Sequence, residues 1–380
     1  MSDRACVAVI TGGGTAGHVF PALAIAEALE ATGIEQTRLH YVGTKHGRER
    51  ELVPPTGLAA TYLDVVGLQR AITLRNAAVV PKAIGATIAA RRLLRRLRPG
   101  VVVNVGGYGS FPATLAARLA RIPTVIVSYD RQPGLVSRLF ARGATVVAVA
   151  FPGSSLPGAQ LTGAPVRRAV LDVQRRSDRA AARDLLGVAD DRFVVVVACG
   201  SHGSQAVNRA VDGVVQQWRS RRDLCVIHVV GPRNLAAAAP SIDGEDGILY
   251  RVIGFSEQMP ALYAAADLMV TRGGAGTVAE LAAIGAPAIV IPWPDATDDH
   301  QAENVSELVS RGGAVLIEES TLTAATLAAE IDRLRAEPAA LRTMEARAFE
   351  VGALHRSGTL PAAILGAAGM DAPPVAEPGR

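Results

Sequence analysis

The sequence predicts an α/β protein made of two doubly wound parallel sheets facing each other across a cleft, and three observations lead there. Short β-branched runs that are apolar throughout, such as CVAVI, VVVNVGG, TVIVSY and FVVVVACG, alternate with longer Ala/Leu-rich stretches of helical period. Strands without a polar face, separated by helices, belong to parallel sheets covered on both sides. The alternation runs through once and then restarts after Gly163-Ala164-Pro165-Val166, so the unit occurs twice. Four of the predicted strands end in glycine clusters, at the carboxyl ends where open parallel sheets bind their ligands.

Taken in order, CVAVI leads through a glycine loop into a helix over Pro21–Thr32, followed by RLHYVG, VVVNVGG, a helix over Pro112–Ala120, and the strands TVIVSY and TVVAVA. The second half begins with a helix over Arg175–Leu186. FVVVVACG, a helix over Gln205–Arg219, CVIHVVG, ILYRVIGF and a helix over Met259–Ala266 come next. The apolar run Leu268-Met269-Val270 then ends at Gly273-Gly274, a helix begins near Thr277, and a further strand spans Ala288–Ile291. Two helices, Leu327–Arg335 and Leu341–Ala353, precede a Pro/Gly/Ala-rich tail. The expected domains are 1–163 and 164–340, with a helix in 341–357 returning to the first domain and an unstructured tail over 358–380.

Length and composition agree with this plan. A chain of 380 residues with 49% apolar and 19% charged content has material for two cores. The excess of 39 basic over 35 acidic residues is too small for a nucleic-acid reader, and 4% aromatics leave few stacking platforms, so no nucleic-acid partner is expected. Cys6, Cys199 and Cys225 stand apart in or beside apolar runs and read as buried, reduced thiols. The start MSDRA lacks the pattern of a signal peptide, and no apolar run reaches the ~18 residues that span a bilayer. Any membrane contact is expected to be peripheral.

The glycine clusters are Gly12-Gly13-Gly14-Thr15-Ala16-Gly17, Gly106-Gly107-Tyr108-Gly109, Gly200-Ser201-His202-Gly203 and Gly273-Gly274-Ala275-Gly276. Glycine lets backbone approach a ligand closely, and amides at a helix start favour an anion, so these loops suit phosphates. The first also fits G-x-G-x-x-G, which raises a dinucleotide oxidoreductase as a rival. That fingerprint expects an acid at the end of the second strand to bond the ribose. Here the strand ends Tyr41-Val42-Gly43-Thr44-Lys45, with none. His18 follows the first cluster at a helix start, where the dipole favours a neutral imidazole suited to base chemistry. Glu280 follows the fourth cluster inside a young helix and is placed to take a ribose diol. Asp298, Asp299 and His300 are neighbours on one loop and cannot all turn toward one ion, so no metal site is expected.

With these motifs in sequence, the chain resembles the GT-B glycosyltransferases of family 28. The resemblance covers roughly residues 6 to 350, through TGGGTAGHVFPALAIAEAL, GGYGSFPA, GAPVR, ACGSHGS, FSEQM and RGGAGTVAELAAIGAPAIVIPWPDATDDHQAEN. It implies two Rossmann-like domains, UDP-GlcNAc bound mainly by the C-terminal half, and a polyprenyl-diphosphate-linked acceptor bound by the N-terminal half. The transfer most expected is from UDP-GlcNAc to lipid I, giving lipid II in peptidoglycan synthesis, at the cytoplasmic face of the membrane and without a cofactor.

Carried over by motif, Thr15, Ala16 and Gly17 face sugar and diphosphate with His18 beside them, and Arg167 and Ser201 meet the diphosphate. Ser256 lies at the uracil, Ala275, Gly276, Thr277, Val278, Ala279 and Glu280 hold phosphate and ribose, and Gln301 holds the GlcNAc hydroxyls. The physical reading supports Arg167 and the helix after Ser201 independently, since both stabilise a departing diphosphate. Ser256 rests on the resemblance alone.

One departure bears on the acceptor. Where the family carries His-Glu-x-Asn, this chain has Val127, Ser128, Tyr129 and Asp130. Either the family's usual reaction tolerates that loop, or the acceptor is a specialised glycolipid or nucleoside-antibiotic precursor. His18 is the first candidate base and Asp130 the second. A nucleotide-sugar sensor and a UDP-sugar epimerase of similar fold are further rivals. In Pro81–Pro99, five arginines (Arg91, Arg92, Arg95, Arg96, Arg98) fill one arc and Leu93, Leu94 and Leu97 the opposite one, a pattern that suits an anionic membrane surface or a helix packed on its sheet. Ile84 and Ile88 fall beneath the arginine arc.

Overall fold

The computed structural model describes residues 6–67, 79–294 and 300–371. The chain forms two compact units, one running to Arg168 and resuming at Leu354, the other spanning Ala169–Ala353.

The first unit holds β1 (Ala8–Thr11), α1 (Ala16–Ala31), β2 (Leu39–Thr44), α2 (Glu49–Leu52), β3 (Ala60–Leu63), α3 (Val79–Leu97), β4 (Val101–Asn104), α4 (Phe111–Leu119), β5 (Thr124–Ser128), α5 (Leu135–Ala141), β6 (Val146–Val149) and β7 (Ala159–Leu161). Its strands pair in the order β3-β2-β1-β4-β5-β6-β7, each neighbour parallel. β1, β4 and β5 are buried along their whole length, as their unbroken apolar runs require.

After the short α6 (Arg168–Leu171), the second unit holds α7 (Arg175–Leu186), β8 (Phe193–Ala198), α8 (Gln205–Gln217), β9 (Leu224–Val229), β10 (Leu249–Ile253), α9 (Met259–Ala265), β11 (Leu268–Thr271), α10 (Ala275–Ile284), β12 (Ala288–Val290), α11 (His300–Ser310), β13 (Ala314–Leu316), α12 (Ala324–Ala336) and α13 (Pro338–Val351). Its sheet runs β10-β9-β8-β11-β12-β13, again all parallel. α14 (Ala353–Arg356) and α15 (Thr359–Ala367) follow.

The two strand orders decide where ligands go. In each sheet the winding reverses once, between β1 and β4 in the first and between β8 and β11 in the second, and a crevice opens at such a switch point. The glycine clusters after β1 and β4 therefore form one pair, and those after β8 and β11 form another. Sequence shows four clusters, but only strand order shows which two share a crevice.

Several boundaries differ from expectation. α1 begins at Ala16 and carries Pro21 inside it, although a proline is expected at a helix start. α10 begins at Ala275, two residues before Thr277. Residues 341–351 belong to α13, which contributes Met344 to the core of the second unit, so the return to the first unit begins only at Leu354. The stretch from 358 is not a tail throughout: α15 buries Leu360, Ile364 and Leu365 and packs on β4, β5, β6 and α1. Its alanines and glycines hid a helical spacing of larger apolar residues. Residues 372–380 lie outside the described residues.

In α3 the leucine arc packs inward, with Leu93 and Leu94 in the core beside Ala86 and Ala90. Cys6, Cys199 and Cys225 are free and buried, and burial pushes their thiols up to about 11, 12 and 11, which keeps them protonated and inert.

Candidate functional site

The crevice of the first unit is built around the loop that joins β1 to α1. Gly13 and Gly14 turn with φ 157° and 99°, and the Gly14 amide donates to Glu49 Oε2 at 3.1 Å. Glu49 is fully buried and also accepts the Thr44 amide on Oε1 at 2.6 Å. Glycines at 13, 43 and 47 leave room for this carboxylate, since a Cβ at any of them would come within 2.8 Å of its side-chain atoms. Tyr41 donates to the Gly12 carbonyl at 2.6 Å from below. The β4 loop closes the other side, where Gly107 has φ 76° and a Cβ there would meet the Gly13 carbonyl at 2.4 Å.

His18 lies over this second loop. A Cβ on Gly106 or Gly107 would stand 3.2 and 3.3 Å from its ring atoms, so the imidazole rests directly on glycine backbone. Its Nδ1 is 3.0 Å from Thr15 Oγ1. Burial pushes the imidazole below its ordinary value, while the carboxylates of Asp130 and Glu49 pull it partly back. The dipole argument predicted the direction, but desolvation leads. A half-buried neutral imidazole, held by a hydroxyl and facing a carboxylate field, is fit to accept a proton.

The altered loop after β5 touches the same turn. Tyr129 is buried, its hydroxyl donates to the Gly17 carbonyl at 2.5 Å, and its ring stands edge-on to His18 with centroids 6.4 Å apart. Asp130, next in the chain, is half-buried. Arg167 lays its guanidinium over the Phe20 ring at 5.2 Å from the centroid, which brings it to the opening turns of α1. Thr15 and Gly17 are exposed there and Ala16 is half-buried. Thr15, Ala16, Gly17, His18, Asp130 and Arg167 are thus assembled at one end of the first sheet.

The crevice of the second unit is organised by Arg272. Its guanidinium donates to Ser204 Oγ at 2.6 Å, to the Ile291 and Pro292 carbonyls at 3.0 and 3.1 Å, and pairs with Glu319. One side chain so ties the loop after β8, the loop after β11 and the chain leaving β12. Ser204 also caps α8 by accepting the Val207 amide at 3.3 Å. Ser201 Oγ lies 3.2 Å from His202 Nδ1 on the same loop.

At the head of α10, Gly274 is the N-cap, and the first amides of the helix have no partner within it. A Cβ on Gly274 or Gly276 would meet nothing within 4 Å, so the backbone there opens onto free space. Ala275, Val278 and Ala279 bury their side chains in the core, which leaves only their backbone to any ligand. Glu280 accepts the Tyr263 hydroxyl on Oε2 at 2.6 Å. Gln301 accepts the Gly273 and Trp293 amides on Oε1 at 3.1 and 3.0 Å, which fixes its amide group beside the loop.

Ser256 spends its hydroxyl on the Gln258 amide at 3.1 Å, at the start of α9. Asp298 and Asp299 lie outside the described residues. Sequence reasoning missed Glu49, Arg272 and Tyr263 as supports of these loops. The glycines at 43 and 47 around Glu49 were the available signal for the first, whereas nothing in the sequence pairs Arg272 with Ser204 or Tyr263 with Glu280.

The glycosyltransferase family 28 N-terminal domain matches residues 8–149, and the family 28 C-terminal domain matches residues 194–356. The chain belongs to glycosyltransferase family 28. It is 38% identical over 354 residues to the UDP-N-acetylglucosamine--N-acetylmuramyl-(pentapeptide) pyrophosphoryl-undecaprenol N-acetylglucosamine transferase of Desulforudis audaxviator, covering 90% of this chain and 94% of that one. The enzyme of the same name from Cutibacterium acnes is 38% identical, covering 86% and 88%. Among solved structures, Acinetobacter baumannii MurG superposes with a TM-score of 0.67 at 28% identity, covering 91% of this chain and 94% of that one. A UDP-GlcNAc 2-epimerase from Neisseria meningitidis shares the fold, with a TM-score of 0.63 at 14% identity. Family 28 membership identifies both units as the Rossmann-like domains of a GT-B glycosyltransferase, and the G-x-G-x-x-G of the first loop belongs to that family and not to a nicotinamide enzyme.

Proposed function

We propose that this glycosyltransferase moves GlcNAc from UDP-GlcNAc to lipid I, the polyprenyl-diphosphate-linked muramyl acceptor, giving lipid II with inversion at the sugar carbon. The observation that carries this reading is the open head of α10, where amides without helical partners meet free space and Glu280 follows within the same helix. Identity of 38% to transferases named for this reaction, across nine-tenths of the chain, supports the substrate pair.

In this reading the second unit binds the donor. The α10 amides take phosphate, Glu280 takes the ribose diol, Gln301 the GlcNAc hydroxyls and Ser256 the uracil. The loop carrying Ser201, at the head of α8, receives negative charge as UDP leaves. The first unit binds the acceptor, and its Thr15, Ala16 and Gly17 face the sugar and diphosphate, with Arg167 on the diphosphate. His18 takes the proton from the attacking hydroxyl as its oxygen bonds to C1 and the bond from C1 to phosphate breaks. Asp130 steadies the imidazolium that results.

The acceptor's lipid requires a membrane, and no described helix is long and apolar enough to cross one. A peripheral docking surface is supported by α3, where Val80, Ile84 and Ile88 are 64%, 57% and 49% exposed and Arg91, Arg92, Arg95 and Arg96 are exposed beside them. The isoleucines that lie under the arginine arc, and not the leucines, are the apolar groups available to an anionic surface at the cytoplasmic face.

UDP release from UDP-GlcNAc, with and without a lipid I analogue, tests the whole reading. Acceptor-dependent release supports it. Release only with another glycolipid or nucleoside acceptor moves the enzyme to a specialised pathway, turnover of the donor without acceptor makes it an epimerase, and binding without turnover makes it a sensor.

A further inference from the structure

We propose that Tyr129 is a positioning residue for the transfer: its phenol replaces the helical amide that Pro21 lacks, and so couples the loop bearing Asp130 to the turn bearing His18. The inference rests on the reading of His18 as the base.

The argument starts from Pro21. In an α-helix the amide of residue i bonds the carbonyl of residue i−4, so the partner owed to Gly17 is residue 21. That residue is a proline, buried inside α1, with no N–H to give. The Gly17 carbonyl accepts the Tyr129 hydroxyl at 2.5 Å instead. None of the other three residues of the altered segment could reach across with such a donor: Val127 has none, Ser128 is short and buried in β5, and Asp130 is a carboxylate.

The geometry links this bond to the chemistry. Gly17 directly precedes His18, and Asp130 directly follows Tyr129, so one hydrogen bond joins the segment that carries the candidate base to the one that carries its supporting carboxylate. The phenol ring stands edge-on to the imidazole at 6.4 Å, and Thr15 holds Nδ1 at 3.0 Å. Gly106 and Gly107 form the floor. Without the phenol, the β5 loop loses this bond to the first turn of α1, and the spacing of the imidazole from Asp130 is held less closely. The residues assigned to uracil, ribose and the GlcNAc hydroxyls lie in the other unit, so the consequence falls on turnover more than on donor binding.

Replacing Tyr129 by Phe removes the donor and keeps the ring. For Tyr129→Phe the expected result is a fall in kcat of about tenfold or more, on the scale that small misplacements of reacting groups cost, with KM for UDP-GlcNAc within about twofold of the unaltered enzyme. The pH profile of kcat and the NMR titration of the His18 ring should both move. Asp130 and Glu49 are the charged groups that act on that ring, and Tyr129 is the neighbouring phenol. Pro21→Ala, which returns an amide to position 21, should restore both readouts in the double variant Pro21→Ala/Tyr129→Phe.

A purely structural role would lower thermal stability while leaving kcat per folded molecule and the His18 titration where they were, and that result overturns the proposal. So does a double variant no better than Tyr129→Phe. The NMR titration needs no substrate, so failure of the unaltered enzyme to release UDP would sink the proposed function while the coupling was still decided by the spectrum.

Discussion

The loops that open the two sheets look alike in sequence, yet Gly12–Gly17 and Gly273–Gly276 are built on opposite principles. The first is filled from below by its own unit: Glu49, Tyr41 and Tyr108 occupy the space that its glycines leave, and His18 lies across the neighbouring glycine pair. The second is braced from the side, by Arg272 and Gln301, and left empty in front of Gly274 and Gly276. Glycine in the first loop admits side chains of the protein, whereas in the second it leaves bare amide for something that is not protein. On the proposed function, the difference is between a loop that positions the base and a loop that receives a phosphate, a division of labour between the units.

The largest effect that would test this division is on His18. His18→Asn should lower kcat by about 10²- to 10⁴-fold, the range for loss of a general base, with Asp130→Asn lowering it by roughly tenfold as a supporting charge is lost. Initial rates at saturating UDP-GlcNAc check both, and near-normal turnover in His18→Asn would move the base elsewhere.

Gly107→Ala comes next, because the new Cβ would stand 2.4 Å from the Gly13 carbonyl at a φ of 76°. Strain and overpacking together predict a loss of about 3 kcal/mol from the first unit, read by denaturant unfolding. Gly276→Ala meets nothing and should leave stability unchanged or raise it by up to about 1 kcal/mol. If the empty space is a phosphate site, the same methyl should weaken UDP binding in calorimetry. Equal damage from both substitutions would erase the contrast between a filled loop and an open one.

Acidification addresses the two units together. Burial pushes His228 in the second unit and His355 in the first down to about 4. His228 is fully buried, its nitrogens bonded with Tyr250 at 2.9 Å and Asn208 at 3.0 Å, and His355 Nδ1 accepts the Ala164 amide at 3.0 Å. An unfolded chain binds protons on both below about pH 6.5, while the folded chain resists until about pH 4, so stability is full above 6.5 and declines as pH falls through that window. The loss is roughly 3 kcal/mol for His228 and less for the partly exposed His355. A melting temperature flat between pH 7 and pH 4 would contradict both burials.

Much of this protein was readable in its sequence, and the parts that were not share a cause. The parallel sheets, the glycine clusters and the candidate residues at them follow from apolar runs and from the chemistry of glycine beside a helix start. Sequence starts α1 at Pro21 because proline is expected at a helix start, whereas the bond from Tyr129 to the Gly17 carbonyl that Pro21 leaves unpaired comes from more than a hundred residues away in the chain. α15 reads as a tail because its alanines dominate the composition, while its few large apolar residues are buried against the first sheet.

By itself, then, the sequence determined the class of fold, the repetition of the unit and the family, since periodicity and local motifs are properties of neighbours along the chain. Tertiary structure alone decided which glycine loops share a crevice, which of them is filled and which is open, and what holds Glu280, Gln301 and Gly17. Those facts depend on strand order and on hydrogen bonds between distant residues, where the energy of a contact carries no trace in the local pattern.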